Sequence, residues 1–186
     1  KRKNYSWQET FDFINLTSNE LNKVISKGDR CLLISENRPE WFIADLSIML
    51  SDGITVPAYT TYAENDYNYI INDCTPSIIF VSNIGQFNKL KNIIKDKKFI
   101  KKIFSFEKLP NVEVEYSNFE DLIQNNNKKN LPNYKSLASR KDPSCIIYTP
   151  GTQGNPKGVI LSHGGILNNC EGAIDILKPL LSKAQP

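Results

Sequence analysis

Residues 28–57 read GDRCLLISENRPEWFIADLSIMLSDGITVP, and the way this stretch changes period decides the fold. Its apolar run at 31–35, CLLIS, has the length of a strand. Asn37-Arg38-Pro39-Glu40 then opens a helix. Proline suits the first helical turn, where its missing N–H costs nothing, and a glutamate there favours the positive end of the helix dipole. Phe42, Leu46, Met49 and Leu50 fall on one face of that helix, and Gly53 ends it. Ile54-Thr55-Val56 is strand again, stopped by Pro57. Strand, helix and strand with short connections argue for parallel pairing, with the helix laid across one face of the sheet.

The same alternation extends outward. Upstream, Ser6-Trp7-Gln8-Glu9 is a capping box that opens a helix running towards Lys27, with Phe11, Ile14, Leu21, Val24 and Ile25 as its apolar stripe and Gly28 just past its end. Downstream, Thr61-Tyr62-Ala63-Glu64 is a further capping box leading into DYNYIINDC. Residues 77–82 (SIIFVS) predict a strand, 86–96 an amphipathic helix through Phe87, Leu90, Ile93 and Ile94, and 100–106 a weaker strand. The fold class is therefore α/β, a mostly parallel sheet flanked by helices. No internal repeat is present. The polar run at 124–130, QNNNKKN, reads as a surface loop, so the chain divides into an alternating part (1–123), a linker (124–141) and a final part (142–186).

Composition narrows the function. The chain has 186 residues, about one domain at roughly 100–200 residues per domain. Hydrophobic residues at 40% and charged residues at 23% are globular values, which exclude disorder of the whole chain. A net charge of +3 offers no basic field for nucleic acid. Lys95, Lys97, Lys98, Lys101 and Lys102 cluster, and a solvated helix-to-strand surface is the simpler reading beside contact with an acidic lipid or a phosphate. Cys31, Cys74, Cys145 and Cys170 form no C-x-x-C pair and His163 is the only histidine, which excludes a closely spaced zinc site. Three of these cysteines lie in or beside apolar runs, as suits reduced, buried thiols in a cytoplasmic protein. No signal-peptide apolar region follows the opening KRKNYSWQETF, and the longest apolar stretch, 41–50, is too short to span a bilayer and contains Asp45. No initiating Met opens the chain, so it reads as a segment of something longer.

The chemistry lies between Cys145 and His163, in CIIYTPGTQGNPKGVILSH. Residues 145–148 and 159–161 read as strands, and the loop between them holds Thr149, Gly151, Thr152, Gly154, Lys157 and Gly158. Glycines let a backbone approach a ligand and turn its N–H groups inward. Threonine hydroxyls reach phosphate oxygens or a bound magnesium, and a lysine adds a mobile positive charge. Together they suit a polyphosphate, although a glycine-rich surface hairpin would have the same composition. The spacing is not that of a Walker A loop, since Pro156 stands at the second glycine position, and no G-x-G-x-x-G is present.

The loop resembles the phosphate-binding signature of the adenylate-forming superfamily, which includes acyl-CoA synthetases, luciferases and peptide-synthetase adenylation domains. Tyr148, Thr149, Gly151, Thr152, Gly154, Pro156, Lys157, Gly158 and Val159 match that signature in order, with Ser162 and His163 following. Lys27-Gly28-Asp29-Arg30, Asn37-Arg38-Pro39-Glu40-Trp41 and Val56-Pro57-Ala58-Tyr59 resemble the order found in bacterial long-chain fatty-acid–CoA ligases, so the likeness covers nearly the whole chain. It implies an incomplete N-terminal AMP-binding domain whose phosphate loop is a hairpin near the C-terminus.

The resemblance also implies a two-step reaction. A fatty carboxylate attacks the α-phosphate of ATP, pyrophosphate leaves, and the thiol of coenzyme A then displaces AMP. ATP, Mg²⁺ and coenzyme A as co-substrate are the implied small molecules, with no nucleic acid. A cytoplasmic location follows, with peripheral membrane association of the parent enzyme as an option. Thr149, Gly151, Thr152, Gln153, Gly154 and Lys157 are the implied nucleotide-binding residues, while no residue of this chain is assigned a catalytic or metal-ligating role. His163 either lies near the acyl-binding region or simply opens a helix containing Ile166, Leu167, Ile174 and Leu177. Cys145 and Cys170 have no adjacent base and read as packing residues. The chain departs from the signature at Pro150, which stands for serine, and at Gln153, which stands for threonine. Proline removes a hydroxyl and an N–H, and a lost bond to a charged group is worth roughly 1.5–3 kcal/mol. Two alternatives follow: part of a working ligase, for a fatty acid or another carboxylate, or a non-catalytic remnant of the same fold. In either case residues 165–181 are expected to leave apolar surface exposed.

Overall fold

A computed structural model describes residues 4–125, 135–149 and 155–181. Its strands are β1 (Arg30–Ile34), β2 (Ile54–Ala58), β3 (Ile78–Val81), β4 (Lys102–Ser105), β5 (Ser117–Asn118), β6 (Pro143–Thr149) and β7 (Lys157–Ser162). The helices are α1 (Trp7–Leu21), α2 (Pro39–Leu50), α3 (Glu64–Cys74), α4 (Ile84–Ile94), α5 (Phe119–Asn125) and α6 (His163–Leu181). The strands form one sheet in the order β5-β4-β3-β1-β2-β6-β7. Every pairing is parallel except β6 with β7, which is an antiparallel hairpin.

Period-two alternation sorts the strand residues between two cores. Cys31, Leu33, Ile78, Phe80 and Phe104 face α1, α2 and α5, packing with Phe13, Leu16, Ile43, Ile48 and Phe119. Leu32, Ile34, Val56, Ile79, Val81 and Ile103 face the other way, onto Tyr67, Ile70 and Ile71 of α3 and Phe87, Leu90 and Ile94 of α4. Burial on both faces explains why these strands read as unbroken apolar runs. No helix among the described residues is long and apolar enough to cross a membrane.

Local differences from the sequence reading have identifiable causes. The α1 capping box forms as read, with Glu9 accepting from the Ser6 N–H at 2.8 Å and Ser6 Oγ accepting from the Glu9 N–H at 3.2 Å. The helix stops at Leu21, however, well before Lys27. Turn bonds from the Val24 and Ile25 N–H groups to the Leu21 carbonyl, at 2.8 and 2.9 Å, still deliver Ile25 to the core. Gly28 adopts φ +84° in the turn before β1. Phe11 is exposed and not part of the buried stripe. On α2 the buried face is Ile43, Ala44, Ser47 and Ile48, while Phe42 is exposed. This helix is apolar nearly all round, and its small serines decide which side α1 can approach. Ser51 Oγ lies 2.8 Å from Ser18 Oγ, and the Ser47 hydroxyl donates to the Ile43 carbonyl at 2.6 Å. The third cap also shifts: α3 begins at Glu64, where Asp66 accepts from the Ala63 N–H at 3.0 Å. The Lys89 ammonium donates to the carbonyls of Thr60 and Tyr62, at 2.6 and 3.4 Å, and keeps that segment in the preceding turn.

Candidate functional site

β6 runs parallel to β2, so Thr149 at its end emerges at the carboxyl edge of the sheet, together with the ends of β1, β2, β3 and β4. Ligands in open α/β sheets bind at this edge. The hairpin then returns along β7 with Tyr148 opposite Gly158 and Thr149 opposite Lys157. Thr149 and Lys157 are therefore cross-strand partners at the hairpin's tip, and both are exposed. Of the residues singled out in the sequence, Gly151, Thr152, Gln153, Gly154 and the departure Pro150 lie outside the described residues.

A cleft of about 510 Å³ opens beside Tyr148 at the same edge. Its lining includes Asn37 and Trp41 from the start of α2, and Pro57, Ala58 and Tyr59 from the end of β2. These residues belong to the Asn-Arg-Pro-Glu-Trp and Val-Pro-Ala-Tyr stretches quoted above. Segments far apart in sequence thus converge on one concavity, with the β6–β7 hairpin as its third wall. Arg38 turns away from the cleft and pairs with Glu40 at 2.9 Å and Glu107 at 2.8 Å, bracing the loops after β1 and β4 against each other.

The stem of the hairpin is held from α3 and the turn before it. The Tyr148 hydroxyl donates to Asp73 Oδ2 at 2.5 Å, its ring meets Tyr69 edge-on at 6.5 Å, and its carbonyl accepts from the Tyr62 hydroxyl at 3.4 Å. Burial, and then the bond to Asp73, push the Tyr148 phenol well above its usual range, so it remains a donor. Sequence reading missed Asp73 and Tyr62. Nothing local marks a contact between residues so far apart in the chain.

His163 is the first residue of α6, and its backbone N–H donates to the Asp142 carbonyl at 3.1 Å. Ser162 Oγ accepts from the Gly165 N–H at 3.1 Å, so Ser162 caps the helix. The helix-entry reading of this pair accounts for both contacts. Cys31, Cys74 and Cys145 are buried, and burial raises each thiol, that of Cys74 to about 12, which suits packing and not nucleophilic chemistry.

Comparison with known proteins agrees with this arrangement. Fatty acyl-CoA synthetase A of Dictyostelium discoideum is 30% identical over 189 residues, covering 93% of this chain and 27% of its own length. Long chain acyl-CoA synthetase 3 of Arabidopsis thaliana is 30% identical over 190 residues, covering 95% of this chain and 28% of its own. The chain thus spans little more than a quarter of these relatives. Among solved structures, ATP-bound MatB from Rhodopseudomonas palustris matches with a TM-score of 0.76 at 22% identity, over 93% of this chain and 32% of that one. Acetoacetyl-CoA synthetase from Streptomyces lividans matches with a TM-score of 0.78 at 17% identity, over 91% of this chain and 27% of that one. At these identities the likeness is one of fold. The profile of the AMP-binding enzymes runs through the sheet, the cleft and the hairpin, from residue 1 to residue 182, and the chain belongs to that family.

Proposed function

We propose that this chain is the phosphate-holding part of an ATP-dependent long-chain fatty-acid–CoA ligase. The observation that carries the proposal is the pairing of Thr149 with Lys157 at the tip of a hairpin on the carboxyl edge of the sheet. A hydroxyl donor and an exposed ammonium at one point suit the oxygens of a polyphosphate. The names of the relatives supply the substrate class, a long-chain fatty acid activated for transfer to coenzyme A.

In the first step a carboxylate oxygen attacks the α-phosphorus of ATP, and the bond to the β-phosphate oxygen breaks. Negative charge grows on the departing pyrophosphate. Lys157 and the Thr149 hydroxyl hold those oxygens and orient the leaving group in line. By sequence, Gly151, Thr152, Gln153 and Gly154 complete the cradle. Among the described residues no group of three His, Cys, Asp or Glu gathers to hold a metal, whereas a hydroxyl and an ammonium fit phosphate oxygens directly. Mg²⁺ carried by the nucleotide would neutralise phosphate charge. In the second step the coenzyme A thiol attacks the acyl carbonyl and AMP leaves.

Pro150 favours a second reading, a folded relative that no longer completes the reaction, because proline offers no N–H to a phosphate. Mg-ATP binding by calorimetry separates the two. Lys157→Ala is expected to weaken binding by about tenfold, the loss of one charge-assisted bond. Unchanged affinity in that variant removes the phosphate-holding role. Binding seen only in Pro150→Ser identifies the proline as the lesion and supports the second reading.

A further inference from the structure

We infer that Asp73 and Tyr148 form a positioning pair that aims Thr149 and Lys157 at the nucleotide. The inference rests on the phosphate-holding reading of those two residues. Tyr148 immediately precedes Thr149 and stands opposite Gly158, the neighbour of Lys157. Because side chains alternate across a strand, fixing Tyr148 into the core fixes the opposite direction of Thr149. The ring crosses the hairpin above Gly158, where an added Cβ would lie 3.3 Å from Tyr148 Cζ and 2.8 Å from Ile146 Cγ2. Glycine at 158 thus lets the ring lie flat over β7 and couples both strands to one side chain.

Asp73 supplies the anchor. Tyr148 is only 3% exposed, and a buried phenol without an acceptor is costly. The carboxylate gives it a short, charge-assisted bond of fixed direction. The backbone that carries Asp73 is itself held, because Arg30 clamps the end of α3. Its Nε donates to the Cys74 carbonyl at 2.7 Å, and its Nη2 donates to Thr75 Oγ1 at 2.6 Å. Thr75, at φ 43°, ends the helix directly after Asp73 and Cys74. A chain of contacts therefore runs from β1 through the end of α3 to the hairpin, and it stops one residue short of the phosphate-facing pair.

The test compares Mg-ATP and AMP binding on the intact polypeptide, with melting temperatures in parallel. AMP lacks the β- and γ-phosphates, so it reports the rest of the nucleotide site. Tyr148→Phe and Asp73→Leu are each expected to weaken Mg-ATP by about tenfold and to leave AMP within about twofold. The double variant should be no weaker than either single one, because both remove the same bond. Asp73→Asn keeps an acceptor and should recover most of the loss seen in Asp73→Leu. Wild-type affinity for Mg-ATP in Tyr148→Phe, while Lys157→Ala still weakens it, overturns the positioning role and spares the phosphate reading. Equal weakening of both ligands with a lowered melting temperature reduces the pair to ordinary packing and overturns it as well. No effect of Lys157→Ala removes the phosphate reading, and the inference falls with it.

Discussion

Asp142 sits at the base of the hairpin and serves three partners. Its carboxylate takes the Lys27 ammonium at 2.8 Å and the Ser139 N–H at 2.8 Å, while its carbonyl takes the His163 N–H at 3.1 Å. The bond from Lys27, and then that from Ser139, hold its acidity at about 2, below the usual carboxylate range. A depressed folded value means that the contribution is present above the unfolded carboxylate's ordinary value near 4 and is lost as pH falls towards 2. Lys27 is shifted the opposite way, raised by the same bond, so its share is full below its ordinary value and is lost only at strongly alkaline pH. Lys27 is exposed and Asp142 is half-buried at the surface, so salt screens the pair. The melting temperature of Asp142→Asn should therefore lie below that of the parent at neutral pH. The gap should close as pH drops from about 5 towards 2, and narrow in 1 M salt. A gap that does not change with pH would mean that the charge of Asp142 contributes nothing, and would refute the prediction. The pairing of Lys27 with Asp142 is invisible in the sequence, where the two charges stand on opposite sides of a polar linker. Thr149 and Lys157 draw notice in the sequence because their spacing matches a signature; Asp73 does not, because it matches none.

At the scale of elements, what the sequence disclosed depended on whether local physics or packing decides. The Ser6–Glu9 cap and the Pro39 helix start are local devices, and both form as read. The buried face of α2 is a packing choice, made by where Ser47 and Ser51 admit α1, and an all-round apolar helix does not reveal it. The strand β5, two residues long, and the seven-residue helix α5 escaped notice because both are too short for a repeated apolar period to stand out. Phe119 nevertheless packs edge-on against Phe106 at 5.1 Å and extends one core. Glycines in α6 give an element-scale prediction. Gly164 donates to the Arg140 carbonyl at 2.8 Å, and a Cβ there would stand 2.7 Å from that oxygen. Gly164→Ala must push the helix start off its support and should cost about 1–3 kcal/mol. Gly172, with nothing within 4 Å, should instead gain roughly 0.5–1 kcal/mol as alanine, because glycine is a poor helix former. Urea unfolding midpoints check both signs, and equal effects at the two positions would refute the contrast.

At the scale of the whole molecule, the described residues bury two cores on the sheet, reaching Tyr148 of β6, and leave the β7 end bare. Val159, Ile160 and Leu161 of β7 are all exposed, as are Leu167, Ile174, Ile176 and Leu177 of α6, with Ile176 at 77%. The sequence reading anticipated exposure on the helix but not on β7. An apolar surface of this extent attracts a partner surface or another copy. The polypeptide of residues 1–186 should therefore bind a dye that reports apolar surface, and the double variant Ile160→Lys, Ile176→Lys should roughly halve that signal. A dye signal indifferent to both lysines would place the binding elsewhere.

The pairing of β2 with β6, Thr55 opposite Cys145, joins parts of the chain that are made far apart in time. Strands β1 to β4 and their helices need nothing beyond Ser105 to form their ladders. Synthesis proceeds from the N-terminus at about 5–20 residues per second, and closely spaced contacts form before distant ones. The edge of β2 therefore waits, unpaired, for several seconds while the polar segment is made. The hairpin then arrives as a late guest on a finished sheet, and until it does the nascent chain has a folded scaffold without the pairing that sets Thr149 opposite Lys157.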